Sequence, residues 1–136
     1  MYTRNVGTLG LAALLCLLSA TAFAGQPDGV WKGSVQRGKA SPVPMDIRFD
    51  GKGGNVHFGS PYRCAVPLES GGDDAGSTYI FGTSGNGGGF CDGLADAKLQ
   101  VKQGSDAKVL VVTFESVGLT GRGSWSGTLR QDKPSP

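Results

Sequence analysis

The residues with the chemistry for catalysis are few and lie far apart in the sequence. The chain has one histidine, His57, within the stretch Asn55-Val56-His57-Phe58. A serine or cysteine nucleophile needs a base beside it, and histidine is the usual base. Alternation places His57 on the strand face opposite to Val56 and Phe58, which is typical of a surface residue. The sequence therefore predicts no pairing of a nucleophile with a base.

Carboxylates and glycines also fail to form a recognisable site. Glycosidases use two facing carboxylates, but Glu69 and Glu115 are the sole glutamates and lie in different predicted strands. The stretch 50–55 has a lysine where a calcium loop needs an oxygen ligand. The glycine-rich run 85–89 lacks the following helix and the Lys-Ser/Thr ending of a phosphate loop. We therefore predict no enzymatic activity, no metal site and no cofactor.

Two cysteines, Cys64 and Cys91, are predicted to form the one disulfide of the domain. The third, Cys16, lies in an apolar run near the start of the chain. An even pair of cysteines in an exported chain usually oxidises, and a loop of this length is worth about 3–4 kcal/mol on the chain-entropy model. Two free thiols or a metal-binding pair are the alternatives.

The first 24 residues have the pattern of a cleaved export signal. Arg4 precedes the apolar run 9–18, and Ala22-Phe23-Ala24 is a small-residue cleavage site. The run is too short for a membrane span, which needs about 20 residues. We predict a periplasmic or secreted protein with no membrane span after cleavage. It has a single β-domain over 25–131 and a disordered tail over 132–136.

The charge of the predicted mature chain is almost balanced. Without Arg4, 12 basic residues face 11 acidic residues, and the basic residues are scattered singly. Binding to nucleic acid calls for a basic stripe. The charge pattern therefore predicts no nucleic-acid partner.

Glycine content and alternation together predict an all-β fold. Of 24 glycines, Gly7 and Gly10 precede residue 25, so 22 lie in the predicted mature chain. Glycine inside a helix costs about 1 kcal/mol relative to alanine. Several runs alternate apolar and polar residues, as half-buried strands do. The pattern predicts a small antiparallel barrel or sandwich of about eight short strands, over 29–37, 43–50, 54–59, 62–69, 77–84, 94–102, 108–116 and 122–131.

The first and last predicted strands resemble each other. Trp31-Lys32-Gly33-Ser34-Val35 and Trp125-Ser126-Gly127-Thr128-Leu129 share the pattern Trp-x-Gly-Ser/Thr-aliphatic. In a closed barrel these strands would pair and leave no exposed edge. Each glycine lies on the same strand face as its tryptophan, so we predict that it makes room for the indole. The tryptophans are either core residues or a ligand-stacking pair.

Several of these features together resemble a known group of proteins. They are the export signal, the Trp31-Lys32-Gly33 opening, Tyr62-Arg63-Cys64, Cys91 and the closing Gly127-Thr128-Leu129-Arg130. They are similar to small disulfide-stapled β-domains of the bacterial envelope, and most of all to periplasmic inhibitors of c-type lysozyme. That family carries Ser-Gly-x-x-Tyr on the loop that enters the lysozyme cleft. This chain has Ser84-Gly85-Asn86-Gly87-Gly88, without the tyrosine.

Two functional hypotheses remain from the sequence. The first is an exported binding module for an envelope or extracellular protein, such as a cell-wall hydrolase that it would inhibit. Its contact residues are predicted to be Tyr62, Arg63, Ser84, Asn86 and Phe90, because loops on a rigid scaffold often bind partners. The alternative to this contact role is that Tyr62 and Phe90 pack as core beneath a hairpin. The second hypothesis is a barrel that carries a small apolar ligand.

Overall fold

The fold is a closed barrel of eight antiparallel strands, each paired with its neighbours in sequence order. A computed structural model describes residues 27–72, 77–84, 89–118 and 121–133. The elements are β1 (Asp28–Gln36), β2 (Val43–Asp50), β3 (Gly53–Phe58), β4 (Cys64–Ser70), β5 (Thr78–Phe81), α1 (Gly89–Asp92), β6 (Lys98–Gln103), β7 (Val109–Gly118) and β8 (Gly121–Lys133). The all-β prediction is confirmed, and of the two architectures the barrel is the one formed. The predicted signal at 1–24 lies outside the described residues.

Closure of the barrel depends on β1 pairing with β8. At this seam, a Cβ on Gly33 would collide with the carbonyl oxygen of Thr128, and one on Gly127 with that of Ser34. The two glycines thus admit the backbone of the opposite strand. The prediction that they make room for indole rings was wrong, because the space beside each glycine is occupied by the opposite backbone. Both tryptophans are nevertheless buried, Trp31 at 4% exposure and Trp125 at 5%.

The strand boundaries differ from the predicted ones mainly around α1. β5 is shorter than the predicted 77–84, β6 begins at Lys98 rather than at 94, and a single helical turn, α1, lies between them. The prediction that this stretch holds no helix was wrong because one turn is too short to show a helical period. At the end of the domain, β8 continues to Lys133, which is two residues beyond the predicted end. There the side chain of Lys32 forms an ion pair with that of Asp132 at 3.5 Å.

The connections of the barrel fall into two groups, one at each end. Segments 37–42, 59–63, 82–84 and 89–97 lie at the same end as the last residue of β7 and the first residue of β8. We call this the α1 end, because α1 packs there between β4 and β7. The connections after β2 and β6, and the last residue of β4, lie at the opposite end.

Apolar side chains fill the described inner faces of the strands. An eight-stranded barrel has an interior just wide enough for side chains. Cys91 and Leu94, from α1 and the residues after it, are fully buried and extend this core at the α1 end. The largest fully buried side chains are Tyr79, Phe58, Phe81, Met45, Ile47, Leu94, Leu99, Leu110, Leu129, Val35, Val56 and Val66.

Candidate binding surface at the α1 end

A tight turn between β3 and β4 presents Tyr62 and Arg63 to solvent. The backbone N–H groups of Tyr62 and Arg63 both donate to the carbonyl of Gly59, at 3.0 and 3.1 Å. Arg63 has a φ of 48°, a left-handed conformation that a β-strand does not accommodate. β4 therefore begins at Cys64, and the prediction of a strand from residue 62 was wrong.

The disulfide between Cys64 and Cys91 fastens this turn to α1. It is the predicted disulfide, and both cysteines are buried. Phe90 precedes Cys91 on α1, and its ring stacks on that of Tyr62 with centroids 4.0 Å apart and planes 9° apart. Because Cys91 directly follows Phe90 and Cys64 lies two residues after Tyr62, the disulfide holds the backbones that carry the two rings together.

Phe90 also rests on the core. Its ring meets the ring of Phe58 edge-on at 5.0 Å and that of Trp125 at 5.3 Å. Phe90 is partly buried against the core, whereas Tyr62 is 38% exposed. Of the two residues that the sequence offered either as core or as contact residues, Phe90 packs against the core, and Tyr62 lies above it at the surface.

Below the stack, Trp125 is held firmly in place. Its indole N–H donates to the hydroxyl of Ser116 at 2.8 Å, in a fully buried hydrogen bond. The indole plane lies within 2° of the ring plane of Phe114. A buried indole usually finds such a partner for its N–H group. Tyr62, whose ring centroid is 6.3 Å from that of Trp125, thus sits on a rigid aromatic base.

The remaining predicted contact residues are Ser84, Asn86 and Arg63. The hydroxyl of Ser84 donates to the carbonyl of Ala65 at 3.1 Å, which ties the segment after β5 to β4. Ser84 thus has a structural role in this position. Asn86 lies outside the described residues. Arg63 is exposed, and within the described parts of the chain its guanidinium makes no ion pair.

Sequence reasoning missed two residues at this end. Val117 is 59% exposed and adjoins α1, since its N–H donates to the carbonyl of Gly93 at 3.4 Å. Continuing the outward series of Thr113 and Glu115 by two residues would have found it. The side chain of Arg37 lies over Gly123, where a Cβ would collide with the guanidinium. No sequence signal marks this contact between distant segments.

A groove of about 760 Å³ adjoins the stack on the outer wall of β6, β7 and β8. Asp96 and Lys98 line one side of it, and Glu115 and Arg122 lie on the strands. Charges of both signs are thus present in equal number. Trp125 lines this groove as well as supporting the stack.

His57 is exposed on the opposite wall of the barrel, beside Asp46 in the β2–β3 register. Across the described ranges, no three His, Cys, Asp or Glu side chains gather closely enough to hold a metal ion. In that same part of the chain, no helix has the length and apolar character needed to cross a membrane.

Comparisons with protein-family models, curated proteins and solved structures found no match to this chain.

Proposed function

We propose that this chain is an exported, non-catalytic module that binds an envelope or extracellular protein through the stack of Tyr62 on Phe90. The observation that carries this is an exposed tyrosine on a rigid base, beside an exposed arginine. Tyrosine and arginine are enriched among residues that dominate binding energy. The disulfide and the aromatic base fix the stack before binding, so little side-chain entropy remains to be lost.

Export is supported by two independent features. The first 24 residues have the pattern of a cleaved signal, and the buried disulfide suits an oxidising compartment. The protein therefore acts in the periplasm or outside the cell. Its mass in the envelope or the medium is expected to be that of a chain starting at Gly25.

A cell-wall hydrolase is the partner class that the lysozyme-inhibitor resemblance suggests. The inhibitor motif is incomplete here, because Gly88 occupies the position of its tyrosine. Tyr62 lies on the turn that the disulfide of Cys64 joins to α1. The helix α1 begins directly after the segment that matches the motif. We propose that Tyr62 supplies the aromatic contact from this neighbouring turn.

The carrier hypothesis is the weaker of the two. A ligand carrier needs free space inside the barrel, and the described inner faces hold large side chains such as Phe58, Tyr79 and Phe81 at 0–1% exposure. A ligand would have to displace these rings from the core. Protein binding requires no such change, because Tyr62 is already exposed.

The double substitution Tyr62→Ala with Arg63→Ala tests partner binding. The mature chain is immobilised and exposed to envelope extract and secreted proteins of the producing organism, and captured proteins are identified and titrated. We expect the substitution to weaken capture of a specific protein by at least about tenfold, or about 1.4 kcal/mol.

Val111→Ala with Lys102→Ala is the matched control. Val111 is 37% exposed, almost the same as Tyr62, and pairs with Lys102 on the barrel wall. The control also removes one exposed apolar side chain and one cation, but away from the α1 end. It should leave capture unchanged. Equal capture by both double variants would rule out the stack as the contact surface.

A further inference from the structure

Two arginines lie at the same end of the barrel as the aromatic stack. Arg63 directly follows Tyr62, and Arg37 reaches the same region from the connection between β1 and β2. Its guanidinium lies over Gly123, two residues before Trp125 on the inward-facing side of β8. The ring of Trp125 in turn lies 6.3 Å from that of Tyr62.

The two connections that carry these arginines are purely basic. Segments 37–42 and 59–63 contain Arg37, Lys39 and Arg63 and no acidic residue. They leave neighbouring strands at the same end of the barrel, since Met45 of β2 pairs with Phe58 of β3. These two connections therefore bring three cations and no carboxylate to the α1 end of the barrel.

None of these three cations forms an ion pair within the described structure. Lys32, on the barrel wall, forms an ion pair with Asp132, but across the described ranges neither Arg37 nor Arg63 forms one. The carboxylates at this end lie outside these two connections: Asp92 is exposed on α1, and Asp96 and Glu115 line the groove. The positive charge beside the stack is therefore available to a partner.

The donors available for an anion at this surface are side-chain groups. Phosphate sites commonly use a nest of backbone N–H groups. Here the N–H groups of Tyr62 and Arg63 are already donated to Gly59, so recognition is left to the guanidinium groups. A guanidinium binds a carboxylate or a phosphate through two parallel hydrogen bonds, and carboxylates are the anions that a protein partner presents.

We infer that the partner presents an acidic protein segment, whose carboxylates pair with Arg37 and Arg63 while an adjoining side chain covers Tyr62. This rests on the proposed function, because it assigns the chemistry of the partner at the same surface. Complementary charge at such a site mainly raises specificity and the association rate. Binding should therefore weaken as salt increases.

The test uses defined probes and NMR spectra of the ¹⁵N-labelled mature chain. The probes are hexaglutamate, hexaglutamine and inorganic phosphate. We expect hexaglutamate to shift the amide signals of Arg37, Arg63 and Gly123, and hexaglutamine to leave them in place. The dissociation constant should rise between about 0.02 M and about 0.2 M salt, as the screening length falls from roughly 20 to roughly 7 Å.

Charge-neutralising variants make the test specific. Arg37→Gln and Arg63→Gln should each weaken hexaglutamate binding about fivefold, or about 1 kcal/mol. Lys102→Gln, on the barrel wall, should leave it unchanged. No shift with hexaglutamate, shifts centred elsewhere, unchanged binding in both arginine variants, or a response to phosphate that equals that to hexaglutamate would each overturn the inference.

The outcomes separate this inference from the proposed function. Capture that depends on Tyr62 without a response to hexaglutamate keeps the proposed function and removes the acidic segment. A response to hexaglutamate that needs both arginines, without Tyr62-dependent capture, keeps the anionic chemistry and removes the proposed partner binding.

Discussion

Replacing Cys64 and Cys91 together by serine is expected to lower the melting temperature by more than about 10 °C. The disulfide joins residues 27 positions apart, and such a loop contributes about 3–4 kcal/mol through the unfolded chain. Each kcal/mol moves a domain of this size by several degrees. The loss is a large share of a total stability of about 5–15 kcal/mol.

Thermal unfolding followed by near-UV circular dichroism measures this effect, with Ala65→Ser as the control. Ala65 lies beside Cys64 on β4 and is partly exposed, so a hydroxyl there leaves the crosslink intact. A melting temperature that matches the control, together with two reactive thiols in the exported wild-type protein, would show that the disulfide is not formed.

Gly127→Ala is expected to destabilise the barrel almost as strongly. The new Cβ would collide with the carbonyl oxygen of Ser34, which belongs to the backbone of β1 and cannot rotate away as a side chain would. Overpacking of this kind costs about 1–3 kcal/mol, and occasionally more. We expect a value at the upper end of that range, because the collision lies at the seam where β1 and β8 close the barrel.

Urea unfolding of Gly127→Ala beside Ser126→Ala tests the seam. Ser126 is the preceding residue on β8 and is exposed, so its substitution should change the free energy of unfolding by less than about 0.5 kcal/mol. Equal stability of the two variants would mean that the strands can separate enough to admit a methyl group, and that the glycine is not required for closure.

Much of the fold was predictable because its signals are local. Alternation marks β2, where Met45, Ile47 and Phe49 are buried between exposed or partly exposed neighbours. Turn glycines mark the strand ends, and Asp50 accepts hydrogen bonds from the N–H groups of Lys52 and Gly53, both at 3.1 Å. The similar tryptophan segments correctly indicated that the first and last strands pair.

The site was predictable only in part, because it depends on contacts between distant segments. Tyr62, Arg63 and Phe90 were selected from residue type and from the expected disulfide, and the structure brings Tyr62 and Phe90 into contact. The left-handed conformation of Arg63 has no sequence signal, since arginine rarely adopts it. The position of Arg37 over Gly123 likewise arises only when the barrel closes.

Site-specific photo-crosslinking at position 62 tests most directly whether the aromatic stack is the contact surface. A benzophenone amino acid replaces Tyr62 in one variant and Val111, of almost equal exposure, in another. Both are produced with the native signal and irradiated in the intact envelope. We predict a covalent adduct with one protein from position 62 and none from position 111. An adduct from position 111 alone, or none from either position, would contradict binding through the stack.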